Sequence, residues 1–430
     1  MSAINIPIGH PLAAKVFGAA VFAGVQAEPG FMNLLSGGAP DLSGAMSKIK
    51  GQTSPDYPIV KVTDLSKSAG DNVTVDLFNI FTGKPVMGDK RLAGRGMSTS
   101  SSTMEVRIDQ SRGMAENGGK MTQKRTKHNL RQVVQAGLTN WACRLEDQRC
   151  LVALAGARGA QQTADWVVPL QSDSDFDAVM VNGIKPPTKN RHFYANDATS
   201  LTNIGSNDWL SLRDVERIAA LMRESNVPLQ SLKIKDDKYA WNNPLHVLFV
   251  TERQWAYLKR SALTNNAYKE ALTYAVKRFE GQRHPLFMGD SIMWAGILIK
   301  PLGRYAIRFN VGDVVKVAQN LTDDTGSDTQ VNTGLSAANG DAVDRAILVG
   351  AQALIKAYGN EGTSDYFYTW NEELTDHKNA VEISLAMMDG VAKTRFLING
   401  DLTDHGVAVI DSYAPDLASA NGQALLASAS

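Results

Sequence analysis

The stretch Gly113-Met114-Ala115-Glu116-Asn117-Gly118-Gly119-Lys120-Met121-Thr122 puts glycine, lysine and a hydroxyl close together, the ingredients of a phosphate-binding loop. That chemistry needs the spacing G-x-x-x-x-G-K-[ST], in which backbone N–H groups and lysine hold phosphate oxygens while the hydroxyl holds magnesium. With Gly119-Lys120 as the core, the first glycine should fall at Met114 but lies at Gly113. The hydroxyl should fall at Met121 but lies at Thr122. The preceding residues Met104 to Asp109 alternate apolar with polar, which predicts a half-wet strand where a nucleotide loop follows a buried one. Both departures argue against a nucleotide-using enzyme.

Other reactive groupings also fail on spacing. Asp173, Asp175 and Asp177 begin like a calcium loop, but Ala178 stands where glycine is required and Ile184 where glutamate is. Asp323, Asp324 and Asp328 supply oxygens without a loop signature. His10, His128, His192, His246, His284, His377 and His405 form no H-x-x-x-H pair, and there is no C-x-x-C or G-x-S-x-G. His377 beside Asp376 and His405 beside Asp404 read as turn residues. Cys143 and Cys150, seven apart on one predicted helix, would sit about 10 Å apart, beyond the roughly 7 Å a disulfide spans. No catalytic residue, metal or cofactor is expected.

Charge points to binding. Lys plus Arg and Asp plus Glu number 44 each, so the 430-residue chain has no net field and any basic surface is local. Such a surface exists: Arg112, Lys120, Lys124, Arg125, Lys127 and Arg131 face Glu116 alone between 112 and 131, a net charge of +5. The strip can hold phosphates without reading sequence, or it can meet an acidic patch on a neighbouring subunit, for which Glu372, Glu373 and Asp376 are candidates. Aromatic residues suited to base stacking are missing from it, which favours protein.

The elements that must carry this strip follow from hydrophobic period. Residues 1–60 are rich in Gly, Pro, Ala and Ser, with one apolar helical segment near Ala13 to Val25, and predict an arm that leans on another surface. Residues 12–27 end in a small-x-small pattern, but no basic residue precedes them and Lys15 interrupts them, unlike a cleaved leader. Val73, Val75 and Leu77, then Met104, Val106 and Ile108, alternate as two strands of a long hairpin with a glycine- and serine-rich end bearing Lys84, Lys90, Arg91 and Arg95. A lone two-stranded ribbon is marginal in water, so it too must lean on something. A long helix follows over 127–155, N-capped at Thr126 and stopped at Gly156 and Gly159. Leu130, Val134, Leu138, Trp141, Leu145 and Val152 form its stripe, with Gln148 the one polar member.

Further on, the pattern predicts helices at Leu212 to Glu224, Thr251 to Ser261 and Ala267 to Phe279. Strands are predicted at His246 to Val250, Ile297 to Ile299 and Tyr305 to Phe309, and a polar surface loop over 320–341. Val343, Ile347, Gly350, Leu354 and Tyr358 predict another helix. Val381, Ile383 and Leu385, then Thr394 to Ile398 and Val407 to Ile410, predict strands. The fold class is α+β, and no run reaches the roughly 18 apolar residues of a membrane span.

This order of elements resembles the major capsid proteins of tailed bacteriophages, the Hong Kong 97-type fold, and more narrowly the capsids of N-four-like podoviruses. The resemblance covers roughly residues 55–415. It rests on Asp71 to Phe81 with Thr82-Gly83; Val106 to Gln110 running into Gly119-Lys120-Met121; Asn129-Leu130-Arg131 through Gly156; Asn207 to Leu212; His284 to Gly289; Gly350 to Ala353; Trp370 to Asn379; and Asp389 to Lys393 with Phe396. Asp376-His377-Lys378-Asn379 departs from the family's aspartate, aromatic, glycine and asparagine.

The resemblance implies an N-terminal arm (1–58), an extended hairpin or E-loop (71–109), a peripheral domain (59–70, 110–165 and 366–430) with spine helix 127–155, and an axial domain (166–365) with surface loop 320–341. It implies no enzyme activity and no cofactor. Many copies would assemble as hexamers and pentamers of an icosahedral shell around double-stranded DNA in the virion capsid, after synthesis in the host cytoplasm, with portal and scaffolding or decoration proteins as partners. The hairpin tip, Lys84 to Arg95, would be an intersubunit clasp. An encapsulin-like compartment is the alternative shell.

Overall fold

The computed structural model describes residues 8, 11–27, 31–37, 53–62, 70–78, 85–88, 101–233, 244–264, 270, 290–359, 368–398 and 400–428.

The spine helix is Leu130–Ala155, 26 residues and about 39 Å long at 1.5 Å per residue. Asn129 caps its start by accepting from the Arg131 N–H at 3.2 Å, and left-handed Gly156 (φ 66°) ends it, its N–H bonded to the Val152 carbonyl. The expected cap at Thr126 is wrong, because Thr126 instead terminates a separate short helix, Lys120–Arg125. The Gln123 side chain separates the two helices by donating to the His128 carbonyl (2.8 Å) and accepting from Leu130 N–H (3.3 Å).

One face of the helix lies on a five-stranded sheet whose axis is the 14-residue strand Ala380–Lys393. That strand pairs antiparallel with Tyr368–Thr375, with Asp109–Gly119 and, near its end, with Leu354–Tyr358, which carries Ile59–Val62 in parallel. Ile383, Leu385 and Met387 alternate inward onto the helix. The arm helix Pro11–Ala27 packs on the spine and on Tyr368–Thr375, burying Val21 and Val25, with Phe17 5.5 Å from Trp370. Phe31 reaches 5.0 Å from Phe249, so the described part of the arm finds its core within its own chain.

The second sheet has seven strands. His192–Tyr194, Val407–Tyr413, Ala342–Val349, His246–Val250, Ile297–Pro301 and Ile292–Trp294 lie in that order, and Ile307–Asn310 also pairs with Ala342–Val349. Helices Leu212–Glu224 and Glu252–Thr264 cover one face, the first opened by a reciprocal Ser211–Asp214 capping box. The helix expected through Val343, Ile347, Gly350, Leu354 and Tyr358 is instead two strands, one in each sheet. Residues four apart share a face in a strand as well as in a helix, and all eight residues of Ala342–Val349 are buried, so no alternation betrayed the strand.

The sheets also cross the expected division of the chain. Val407–Tyr413, expected with 366–430, is a central strand of the seven-stranded sheet, and Leu354–Tyr358, expected within 166–365, lies in the five-stranded one. Nor is 320–341 only a loop: Ser327–Gln330 pairs with Val314–Val317, and Val331 and Leu335 are buried. Asp323 organises that turn by accepting from the N–H groups of Gln319, Thr325 and Gly326. The long hairpin pairs Asn72–Phe78 with Ser101–Arg107, matching Val73 to Val106 and Val75 to Met104. Its tip residues Lys84, Lys90, Arg91 and Arg95, and all but Glu270 of the helix expected over Ala267 to Phe279, lie outside the described residues.

Candidate functional site

The strip begins on strand Asp109–Gly119, where alternation sorts the side chains. Ser111, Gly113 and Ala115 turn inward, while Arg112, Met114 and Glu116 are exposed. A Cβ on Gly113 would come within 2.9 Å of the Trp141 indole, so glycine is what lets the spine helix lie this close. Residues 109–116 and Gly119 run as an extended strand in register with Ala380–Asp389, which is not the tight glycine turn that wraps a phosphate in a nucleotide loop. The segment is therefore neither a nucleotide loop nor, as its glycines suggest, a turn throughout; only Gly118 (φ 64°) is left-handed.

Arg112, Lys120, Lys124, Arg125 and Lys127 are all exposed, and none is in an ion pair among the described residues. Helix Lys120–Arg125 buries no residue. Met114 and Met121, about 60% exposed, lie among these charges. Arg131 parts company with them: it donates to both carboxylate oxygens of Glu372 at 2.6 and 2.7 Å and stacks over Phe17 at 4.3 Å. Glu372, expected to face a neighbour, is thus buried and used at home.

Beside the strip, the turn joining Tyr368–Thr375 to Ala380–Lys393 holds Asp376, His377 and Lys378 at φ 49°, 52° and 70°, three left-handed residues that are not glycine. Each such residue costs about 1–2 kcal/mol. Lys378→Gly should therefore raise the unfolding free energy by roughly 1 kcal/mol; an unchanged denaturation midpoint would show that the turn carries no strain.

Of the spine stripe, Leu138, Leu145 and Val152 are buried, Val134 and Trp141 are half-buried against the core, and Leu130 is half-buried. Gln148 is satisfied, accepting from the Val167 and Val168 N–H groups (2.7 and 3.1 Å) and donating to the Asp165 carbonyl. Sequence reasoning missed a buried ionic cluster behind this stripe. Lys356 Nζ lies 2.6 Å from Glu146 and 3.6 Å from Asp389, and Arg149 bonds Asp389 at 2.7 Å and Ser111 at 2.6 Å. The Tyr368 hydroxyl donates to Glu146. The available signal was Arg149 itself, four residues after Leu145 and three before Val152, hence on the stripe. Burial would lower the Lys356 pKa, but Glu146, Tyr358 and Asp389 outweigh it and hold the ammonium well above its ordinary value. Nearby, burial and then the Lys356 charge bring Lys61 down to about 8, and burial drives the Cys150 thiol up to about 12.

A second cluster ties the spine to the seven-stranded sheet. Arg345 donates twice to Asp411 (2.7 Å each) and once to the Ala155 carbonyl (2.9 Å) at the end of the spine helix. His192 Nε2 lies 2.7 Å from the same Asp411. In a third cluster Asp404 takes Arg395 at 2.7 Å and Lys393 at 2.9 Å. In the first two clusters cations and carboxylates balance, and in the third Asp324 adds a second carboxylate opposite Arg395. Among the described residues no group of three or more His, Cys, Asp or Glu could hold a metal, and no helix is long and apolar enough to cross a membrane. Asp324 is engaged by Lys185 (2.8 Å) and Arg395 (2.7 Å).

The described residues thus form two large sheets locked by buried charge, with a basic strip, exposed apart from Arg131, and a projecting hairpin on the outside. Comparison with curated proteins gives no significant match. Among solved structures, the chain is similar to the capsid of Ralstonia phage GP4, with 26% identity over 84% of this chain and 89% of that one and a TM-score of 0.66. The fold is shared with the capsid of cyanophage Pam1 (19% identity, 84% and 90% covered, TM-score 0.57) and the head of Helicobacter pylori bacteriophage KHP40 (13%, 87% and 93%, TM-score 0.53). The phage capsid protein family matches residues 5–416, and with that match running through both sheets, the spine helix and the hairpin, the chain belongs to the phage capsid protein family.

Proposed function

We propose that this subunit, as a major capsid protein, closes an icosahedral shell of hexamers and pentamers around double-stranded DNA. The match to capsid proteins over nearly the whole chain carries this reading. In it, the five-stranded sheet and spine form the peripheral part of the subunit, the seven-stranded sheet forms the axial part, and the hairpin tip, Lys84 to Arg95, clasps a neighbour. Portal and scaffolding or decoration proteins complete the particle, whose subunits are synthesised in the host cytoplasm.

The basic strip faces a neighbouring subunit. Glu373 pairs in register with Glu382, and Glu382 with Glu116, so three carboxylates line up across the outer face of the five-stranded sheet. Like charges directly opposite one another are unfavourable in the isolated subunit, and cations from a second copy would relieve them. Arg112, Lys120, Lys124, Arg125 and Lys127 are the exposed charges that fit. Association of this kind is heterologous, one surface meeting a different surface, and propagates into rings and shells.

Expressed protein should sediment as large closed particles visible by electron microscopy. A subunit lacking residues 84–97 should fold and fail to form stable shells; normal shells would remove the clasp. Lys124→Glu with Arg125→Glu should impair assembly, whereas shells that form normally but retain less DNA would assign the strip to the genome. Particles from the native host that contain protein cargo in place of DNA would favour the encapsulin-like alternative.

A further inference from the structure

Among the described residues, the hairpin Asn72–Phe78/Ser101–Arg107 is tied to the rest of the chain by hydrogen bonds at one side chain. Arg107 N–H donates to Asn182 Oδ1 at 2.8 Å, and Asn182 Nδ2 donates back to the Arg107 carbonyl at 2.9 Å and to the Val391 carbonyl at 3.2 Å. The amide reproduces the two bonds a neighbouring strand would make. It does so at the residue where the hairpin ends and, after Ile108, strand Asp109–Gly119 begins, and it joins that point to the central strand of the five-stranded sheet.

The same point is shaped sterically. A Cβ on Gly390 would collide with the Arg107 carbonyl, and one on Gly359 would reach within 2.6 Å of Ile108 Cδ1. Val106 is fully buried against Val60, Val62, Ile355, Ala357 and Ala392, which anchors the root. Beyond the root, a cleft of about 500 Å³ separates Thr103 and Glu105 from Lys185, Asp324 and Leu397, with Asn182 also on its wall. Val73, Val75 and Met104 pack along the same cluster, so the inner face of the hairpin is covered, while its hydrogen bonds to the rest of the chain sit, among the described residues, at this one corner.

We propose that Asn182 is a positioning residue for assembly: its amide fixes the angle at which the hairpin leaves the subunit, and with it the uniform curvature of the shell. The proposal rests on the reading that the hairpin clasps a neighbour. Asparagine suits the role because one planar group both accepts from and donates to a single peptide. A carboxylate of the same shape would turn lone pairs toward the Arg107 and Val391 carbonyls.

The test is residue-resolved hydrogen exchange on unassembled subunits, followed by electron microscopy of assembled particles. In the wild type, the Arg107 amide should exchange at least about 100-fold more slowly than a solvent-exposed amide. Fast exchange there overturns the proposal without any variant. In Asn182→Asp, exchange across 101–107 should accelerate about 10-fold or more while strand Ala380–Lys393 keeps its protection, and the shells should vary in diameter or fail to close. Unchanged exchange, or a loosened hairpin that still builds uniform shells, overturns it. Asn182→Ala, which removes the bonds without adding charge, should show the same loosening. The deletion of 84–97 separates the two ideas: if it leaves shells intact, the clasp itself has failed, whatever Asn182 does to exchange.

Discussion

Lys356→Met should destabilise the subunit by about 3–5 kcal/mol, the usual cost of leaving buried charge unpaired. Lys356 is fully buried and comes from strand Leu354–Tyr358; its partners Glu146 and Asp389 come from the spine helix and the central strand. Removing the ammonium leaves Glu146 with the Tyr368 hydroxyl and the more distant charge of Lys61, while Asp389 keeps Arg149. The carboxylate that loses its close ion pair is thus Glu146. Adding Glu146→Gln should recover much of the loss, because glutamine can still accept from Tyr368 and carries no charge. A urea titration of wild type, single and double variants measures this; a single variant within about 1 kcal/mol of wild type would mean the cluster contributes little.

Stability should also fall as the pH is lowered from about 6.5 toward 4, before Asp404 and Asp411 titrate. His192, His246 and His405 are buried, and burial holds the pKa of each below its ordinary value. For His192, Asp411 pulls the other way, but Arg345 already saturates that carboxylate and lies 3.4 Å from the ring nitrogen. Arg223 and Arg191 further disfavour charge on His246, and Arg191 does so on His405.

The sign follows from proton counting. In the window below 6.5 the unfolded chain binds protons that the folded subunit excludes, so each histidine can remove up to about 1.4 kcal/mol per pH unit. Asp404 and Asp411 act later. Opposing the effect of their burial, Lys393 and Arg395 around Asp404, and Arg345 and His192 around Asp411, hold both carboxyls below the usual range. Their stabilisation is present above about 3.9 and disappears as the pH drops further. Unfolding free energies measured between pH 7.5 and 4.5 test the histidine stage; a flat profile there would mean the three rings titrate in the folded subunit as they do in the unfolded chain.

Much of the order of elements was legible in the chain itself, because it depends on local periodicity and end signals. The spine helix was readable from its stripe and from Gly156, helix Leu212–Glu224 from its apolar spacing, and the hairpin strands from alternation. The absence of nucleotide-loop spacing was equally local, and so was the basic strip, which is a run of charges in one segment.

Only the tertiary structure decided which sheet each strand joins, and therefore where Leu354–Tyr358 and Val407–Tyr413 belong. Pairing partners are set by contacts between residues tens to hundreds of positions apart, and a strand buried on both faces carries no alternation to mark it. The partners within the charge clusters were hidden for the same reason: Arg149 and Asp389 lie 240 residues apart, and Arg345 and Asp411 lie 66 apart. Arg131 looked like one more member of the strip until the fold placed Glu372 against it. Charge, in this subunit, is local as an exposed strip and long-range as a buried lock, since a cation alone in one segment is stable in water but enters a core only where folding delivers carboxylates or other acceptors to meet it.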